Sequence, residues 1–392
     1  MKLSHRMSLI KPSATLAVTT RVLEMKAAGI DVIGFGAGEP DFPTWPNAQE
    51  AAHQSIRRGD FYYTAVAGTP ELRSAITTKL KRDNGLEYSD AEVMASCGGK
   101  QVLYNAMQAL LDPGDEIVIP APYWVSYRDM AVLAGARPNI VMASEEKGFR
   151  ISPQQLGEAL TERTSIVLLN TPANPTGVVY DEGQLAGLAE VLGDYSGWIV
   201  TDDVYEFLRY DDRSPRHLLK LAPQLRERTV IANSVSKTYA MTGWRIGYAA
   251  GPSEVIRAMT KLQGQSTSNP AAVSQAAAVA ALSGDQSRVK PMVTELRKRR
   301  DYVCDRLNAI DGISVTVPGG AFYVFPNISG VLERTHCADG DQLAMAILEH
   351  ANVGLVGGND FGSPDHVRIS YATSLKVLER GLDAVETWLA SI

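Results

Sequence analysis

Between about residue 90 and residue 290, short continuous apolar runs alternate with segments whose apolar residues recur three and four positions apart. Runs of four to seven residues rich in Val and Ile predict strands buried on both faces. They occur as EIVIPA (116–121), TSIVLLN (164–170), WIVTDD (198–203), TVIAN (229–233) and RIGYAA (245–250). Between them, QVLYNAMQALL and QLAGLAEVL carry the helical spacing. Strands and helices in alternation imply an α/β fold with a mainly parallel central sheet. In such sheets, ligands bind at the loops that leave the carboxyl ends of the strands.

The last hundred residues follow a different pattern. A long charged helix around VTELRKRRDYVCDRL precedes ISVTVPGGAFYVFP, which predicts two strands joined at Pro318, Gly319 and Gly320. Another helix, the strand HVRISYA and a closing amphipathic helix complete a smaller α+β unit. The first 45 residues, rich in Gly and Pro, have no sheet of their own and are expected to join this unit or to reach a partner. The expected division is therefore residues 1–45 as an arm and part of the small domain, 46–290 as the large domain, and 291–392 as the small one.

Composition narrows the function. With 45% hydrophobic and 21% charged residues over 392 positions, the chain has the make-up of a globular protein. A net charge of −6 and the lack of a basic block argue against nucleic-acid binding, while leaving room for a local basic pocket that takes an anion. Three cysteines, Cys97, Cys304 and Cys337, are widely spaced and form neither a disulfide framework nor a metal pair. The six histidines show no HExxH spacing, so no metal is expected. The N-terminus has no signal-peptide core, and no stretch nears the roughly 20 apolar residues of a membrane span. A cytoplasmic enzyme is expected.

Four loops after the strands offer polar groups of different kinds. In SCGGKQ, two glycines and Lys100 precede a helix, a context in which backbone N–H groups can cradle a phosphate, although taken alone the segment reads first as a plain turn. The spacing is not that of a Walker loop, and GFGAGEP at residues 34–40 fails the dinucleotide order. NTPANPTG ends a strand with Asn170, Asn174 and Gly177; rigid prolines make Asn174 a fixed amide, or simply part of a capped turn. Asp202 ends the apolar run WIVTDD, and a buried carboxylate needs a partner. A protonated heterocyclic nitrogen or an arginine would serve; Asp203 beside it is expected to be solvated or capping. Lys237, in NSVSKTYAMTGWRIGY, lies between apolar segments, with Ser234 three residues before it and Arg245 eight after. A partly desolvated lysine can act as nucleophile and base. Pyridoxal phosphate calls for such a lysine, an acid for its ring nitrogen and a phosphate site, so one cofactor accounts for all four loops.

The chain resembles fold type I pyridoxal-phosphate aminotransferases, specifically the aspartate aminotransferase class Ib subgroup. The match runs nearly end to end through KPSAT, GAGEPDF, YTAVAGTPELR, GGKQ, DPGDEIVIPAPYWVSY, TPANPTG, DDVYE, SVSKTYAMTGWRIGYAAGP, GAFYVFP and VRISYATS. The resemblance implies that Lys237 binds the cofactor covalently and shuttles the proton, while Asp202 pairs with the ring nitrogen. Asn174 and Tyr205 would hydrogen-bond the ring's phenolic oxygen, and Trp124 would stack on its face. Gly99 and Lys100, through backbone groups, with Ser234 and Arg245 would hold the phosphate, joined by Tyr63 from a neighbouring subunit. Arg368 would clamp the substrate α-carboxylate, Gly38 would close over it, and Trp124 and Asn174 would border it. A homodimer with shared active sites follows.

Departures from the family pattern are small. Asp203 stands where Glu is common, Tyr62 where Lys is common, and Cys97, expected to be a buried small hydrophobe, where a small aliphatic residue is frequent. The implied reaction moves an amino group between L-aspartate and 2-oxoglutarate. Its second carboxylate needs a cation when buried; Lys100 is the first candidate and Lys11, in IKPSAT, the second. Lys11 also resembles a feature linked to prephenate use. Prephenate, aromatic or alanine transamination is the alternative, and a lyase on the same fold a remote one. The effector-binding half of a transcription regulator would need a further DNA-binding domain and suits this acidic chain poorly.

Overall fold

The computed structural model describes residues 2–12, 14–211 and 217–392. Among them are twelve strands: β1 (Ile33–Gly34), β2 (Val93–Ser96), β3 (Glu116–Ala121), β4 (Arg137–Met142), β5 (Thr164–Asn170), β6 (Trp198–Asp202), β7 (Thr229–Ser234), β8 (Gly247–Ala250), β9 (Tyr323–Val324), β10 (Val353–Gly354), β11 (Val356–Gly357) and β12 (Val367–Ser370). Seven of them build the central sheet in the order β2-β8-β7-β6-β5-β3-β4. The pairs from β4 through β7 are parallel, and β8 runs antiparallel to both its neighbours. The fold is thus α/β with a mostly parallel sheet, as the alternation of runs predicts.

Each strand feeds two layers. Val167, Ile199 and Ile231 pack in one core cluster, and their chain neighbours Ile166, Val200 and Val230 in another. Period-two side chains that are apolar on both sides suit a sheet covered by helices on both faces. Each fully buried Val or Ile contributes about 1.5–3 kcal/mol relative to exposure. The register sets Asn170 beside Asp202 and Asp202 beside Ala232, so the carboxyl ends of β5, β6 and β7 open at one level.

Two strands of the central sheet escape the sequence pattern. β2 has only four residues, and β4 carries Pro138 with an exposed residue at each end, as an edge strand does. RIGYAA starts its strand at Gly247 rather than Arg245, because Arg245 sits at φ +57° and cannot extend.

The C-terminal part holds an antiparallel sheet, β11-β12-β9, next to the long helix Val289–Asn308 and the closing helix Leu375–Ala390. β1 pairs in parallel with β10, and Phe35 bridges the two small sheets, donating to the Gly354 carbonyl and accepting from the Ser370 N–H. This threading carries residues 36–38 to the level of the central sheet's open end. The expected hairpin around Pro318 does not form. Only Tyr323–Val324 is a strand there, and Ser314 makes a single bridge to Asn327. Pro318 lacks a donor, and the groups that follow bond elsewhere: Gly320 N–H to the Gly177 carbonyl, the Gly319 carbonyl from Tyr210, and Ala321 N–H to Leu208. No helix among the described residues is long and apolar enough to cross a membrane.

Candidate active site

A cavity of about 460 Å³ opens where β5, β6 and β7 end, between the central sheet and the C-terminal part. Its floor is set by Asp202, at the last position of β6 and buried. The carboxylate accepts from the Tyr127 hydroxyl at 2.6 Å and from the Val204 N–H at 3.3 Å. No cation pairs with it among the described residues, so the arginine alternative is set aside. Burial pushes its carboxyl up to about 6, against the opposing pull of the Tyr127 hydrogen bond.

Lys237 follows β7 in a tight turn and is half-buried. Its ammonium donates to the Gly38 carbonyl and lies 5.6 Å from the Phe322 ring centroid. Desolvation pushes it down to about 8, with Arg368 and Arg245 adding to the fall and Glu39 opposing it. A lysine at that value is in part a free amine near neutral pH, as nucleophilic chemistry demands.

Arg368 stands on β12 and is only 1% exposed. Its Nη1 donates to Asn174 Oδ1 at 2.9 Å and its Nη2 to the Gly36 carbonyl at 2.7 Å. Among the described residues the Nε has no acceptor, and the guanidinium lies 4.6 Å from the Tyr323 ring centroid and 5.1 Å from that of Phe361. A buried guanidinium without a carboxylate partner is costly unless an anion arrives. Asn174, its Oδ1 thus occupied, makes no hydrogen bond through Nδ2 among the described residues. Tyr205 is buried beside it, with its hydroxyl 2.9 Å from that of Tyr323.

At the opposite end, the helix Gly99–Leu110 begins after Gly98, which is at φ +93°. The first N–H groups of a helix have no partner within it, and those of Gly99 and Lys100 meet no acceptor among the described residues. Gly247 lets this corner close: a Cβ there would stand 2.4 Å from both Gly98 C and Gly99 N. Ser234 is buried next to Gly99, and Arg245 donates to the carbonyls of Thr242 at 2.7 Å and Cys97 at 3.4 Å. The result is an anion-binding corner. Lys100 reaches solvent at the rim, yet its ammonium lies 4.9 Å from the Trp124 ring centroid, and desolvation and Arg245 lower its pKa.

The structure therefore gathers Gly38, Gly99, Lys100, Trp124, Asn174 and Asp202 around one cavity, together with Tyr205, Ser234, Lys237, Arg245 and Arg368. Two expected residues lie apart. Tyr63 is 90% exposed and borders a surface groove beside the helix Ala272–Ser283. Lys11 lines a larger outer cavity of about 690 Å³, which shares Lys100 and Arg245 with the inner one but contains neither Lys237 nor Asp202. Size does not make it the centre of the chemistry.

Two readings need correction. Asp203 is not solvated: it is buried, accepting from Thr201 at 3.0 Å and lying 3.1 Å from His217 Nε2. His217 Nδ1 accepts from the Leu219 N–H, so its proton is on Nε2, facing Asp203. The alternation of β6 continues past its end and turns Asp203 away from Asp202, into the interior. Cys97 is half-buried at the outer cavity rather than packed in the core. Sequence reasoning also passed over Tyr127, Tyr323, Ser236 and Gly247. Tyr127 stands three residues after Trp124, at helical spacing, and a lone Gly within the apolar run RIGYAA hinted at a close backbone approach.

Comparisons with known proteins agree with this geometry. The family Aminotransferase class I and II matches residues 30–385. An aspartate/prephenate aminotransferase of Cereibacter sphaeroides is 48% identical over 396 aligned positions, covering 100% of this chain and 99% of the relative. An aspartate aminotransferase of Geobacillus stearothermophilus is 46% identical, with 99% of each chain covered. Among solved structures, the aspartate aminotransferase of Rhizobium meliloti superposes with a TM-score of 0.93 at 42% identity, over 100% of this chain and 99% of the other. That of Thermus thermophilus with maleate reaches 0.93 at 39% identity, with 99% of each covered. With matches spanning the whole cavity and all three sheets, this chain belongs to the class I and II aminotransferases.

Proposed function

We propose that this chain is an aspartate transaminase, passing the amino group of L-aspartate to 2-oxoglutarate to give oxaloacetate and L-glutamate. The observation that carries this is the buried, carboxylate-free guanidinium of Arg368 in the same cavity as the partly neutral amine of Lys237. One site thus holds a receptor for an amino acid's carboxylate and a base for its α-carbon proton. The names of the full-length relatives support the choice of aspartate.

The family uses pyridoxal phosphate, and the cavity's residues fit it. Among the described residues, Asp202 has no cationic partner and the N–H groups of Gly99 and Lys100 have no acceptor, and Lys237 presents an amine between them. When bound, this cofactor supplies an aldehyde that accepts the amino group and a cationic ring that withdraws electrons from the α-carbon. Asp202 would hold a proton on the ring nitrogen. The Asn174 amide and the Tyr205 hydroxyl would donate to the ring's phenolic oxygen, and Trp124 would cover the ring face. Gly99 and Lys100 through their N–H groups, with Ser234 and Arg245, receive the phosphate. Arg368 takes the α-carboxylate, with its free Nε–H as an extra donor, and Gly38 closes over the substrate from the N-terminal side. Lys237 moves the α-proton. Lys100 faces the side-chain carboxylate across Trp124.

The working unit in this reading is a cytoplasmic homodimer, in which Tyr63 reaches the partner's phosphate corner. The adjacent exposure of Phe61, Tyr62 and Tyr63 supports such an interface. Residues 46–290 form the large domain; residues 291–392, joined by the first 45, form the small one. The outer cavity, with Lys11 and Arg128 beyond Lys100, supports a second reading in which a bulkier dianionic acceptor such as prephenate is also used. The test is spectroscopic. Aspartate should abolish the visible band of the lysine-bound cofactor, and 2-oxoglutarate should restore it. A band indifferent to both would sink the proposal.

A further inference from the structure

A polar cluster inside the protein has no part in the chemistry above. Lys79 closes the helix Pro70–Lys79 and is 1% exposed; Glu206, 6% exposed, lies in the turn after β6. The Lys79 ammonium donates to Glu206 Oε1 and, at 2.7 Å, to Asn84 Oδ1. Asn84 Nδ2 donates to Glu206 Oε2 at 2.6 Å, and Asn233 Nδ2 to Glu206 Oε1 at 2.7 Å. Asn233 in turn accepts the Ser234 N–H on its Oδ1 at 2.7 Å. The nearby Asp83, 4.0 Å from Lys79, is held by both ends of the Arg82 guanidinium at 2.7 and 2.8 Å.

A buried ion pair is a weak source of stability, because desolvation offsets its attraction. Fully satisfied, it does hold its members in one geometry. Its position matters here. The backbone ladder between β6 and β7 ends at Asp202 and Ala232, apart from one further bond from the Asp203 N–H. Beyond that point the chains part, one to Tyr205 and Glu206, the other to Ser234 and Lys237. The Glu206–Asn233 contact is a side-chain tie across that gap. Asn84 holds the other oxygen, Oε2, and Lys79 shares Oε1 with Asn233, so the carboxylate cannot swing with the turn.

We infer that Glu206 is a positioning residue, locking the turn that carries Tyr205 to the strand end that carries Ser234 through Asn233. The inference rests on the reading that the cavity holds pyridoxal phosphate, with its phosphate at Ser234. Loosening the tie should displace Ser234 and weaken the grip on the phosphate more than the grip on the ring.

The experiment compares the full chain with Glu206→Gln and Asn233→Ala, titrating each cofactor-free protein with pyridoxal 5′-phosphate and, separately, with pyridoxal, which lacks the phosphate. Tryptophan fluorescence reports binding, and melting temperature is recorded beside it. Asn233→Ala leaves the Lys79–Glu206 pair in place, so it decides the matter even if Glu206→Gln fails to fold. The expected result is a loss of about tenfold for the phosphorylated form, the scale of one hydrogen bond, with much less change for pyridoxal. A purely structural network would lower the melting temperature and leave the ratio of the two dissociation constants at the parent value; that result overturns the inference. A parent chain that binds both forms equally would remove the cofactor reading itself, and the inference with it.

Discussion

At the residue scale, Asp202 and Lys237 impose opposite pH dependences on the cofactor-free protein. Asp202 is raised from 3.8 to about 6 by burial, so between those values the folded chain holds the proton more tightly than the unfolded chain. Stability therefore falls as pH rises through that window, and above it the folded state carries a penalty of about 3 kcal/mol. Lys237, lowered from 10.5 to about 8, penalises the folded state below pH 8 and is relieved as pH rises from 8 to 10.5. Asp202→Asn should thus melt higher than the parent at pH 7.5 without cofactor and lose that advantage by pH 4, while turning over far more slowly when loaded. A difference in melting temperature that stays constant with pH would contradict the assignment. Lys100→Ala should lower kcat/KM for aspartate by ~2–5 kcal/mol, the range for truncating one member of a buried charge pair, and change phenylalanine little. If the ratio of the two substrates does not move, another cation, with Lys11 first, reads the second carboxylate. Lys237, Asp202 and Asn174 were legible because each stands in a short motif at the end of an apolar run. Tyr127, Tyr323 and the buried Asp203–His217 contact were not, because their partners are distant in sequence and only the fold brings them near.

At the scale of elements, continuous apolar runs marked the strands that are buried on both sides, Val- and Ile-rich in β3 and β5 to β7 and Ala-rich in β8. Short β2 and the proline-bearing edge β4 carry too little of that signal. The hairpin expected at Pro318 failed for a related reason: an apolar, β-branched run states a preference, but the backbone groups around Gly319 and Gly320 found better partners in the segments after β5 and β6. The anion corner is likewise a product of elements meeting. Its helix start was visible in CGGK, whereas the close passage of β8 beneath it was not. Gly247→Ala tests this directly. The added methyl would meet Gly98 and Gly99 backbone at 2.4 Å, and backbone cannot yield as a flexible side chain does. Overpacking of that kind typically costs about 1–3 kcal/mol. The variant should melt lower and bind pyridoxal phosphate more weakly than pyridoxal relative to the parent; unchanged cofactor binding would show that the corner does not hold the phosphate.

At the scale of the whole molecule, the cavity lies between two sheets that the chain visits more than once. The N-terminal segment pairs with β10 before the central sheet begins, so the wall of the cavity that carries Arg368 is assembled from both ends of the sequence. Periodicity along the chain could not show this threading. The exposed run of Phe61, Tyr62 and Tyr63 belongs to the same scale. Light scattering should find two chains per particle, and replacing Phe61 and Tyr63 by serine should shift the population towards monomer with loss of turnover. A monomer as active as the parent would exclude a shared site.

The most direct test of the central claim is the product balance of one purified preparation loaded with pyridoxal phosphate. It is given L-aspartate and 2-oxoglutarate, and oxaloacetate and L-glutamate are measured together over a range of both substrates. Transamination through Lys237 and Arg368 requires the two products in equal amounts and parallel double-reciprocal lines, with turnover in Lys237→Ala lower by at least ~10²–10⁴-fold. Aspartate consumed without glutamate formed, or glutamate formed at an undiminished rate by Lys237→Ala, would contradict the account.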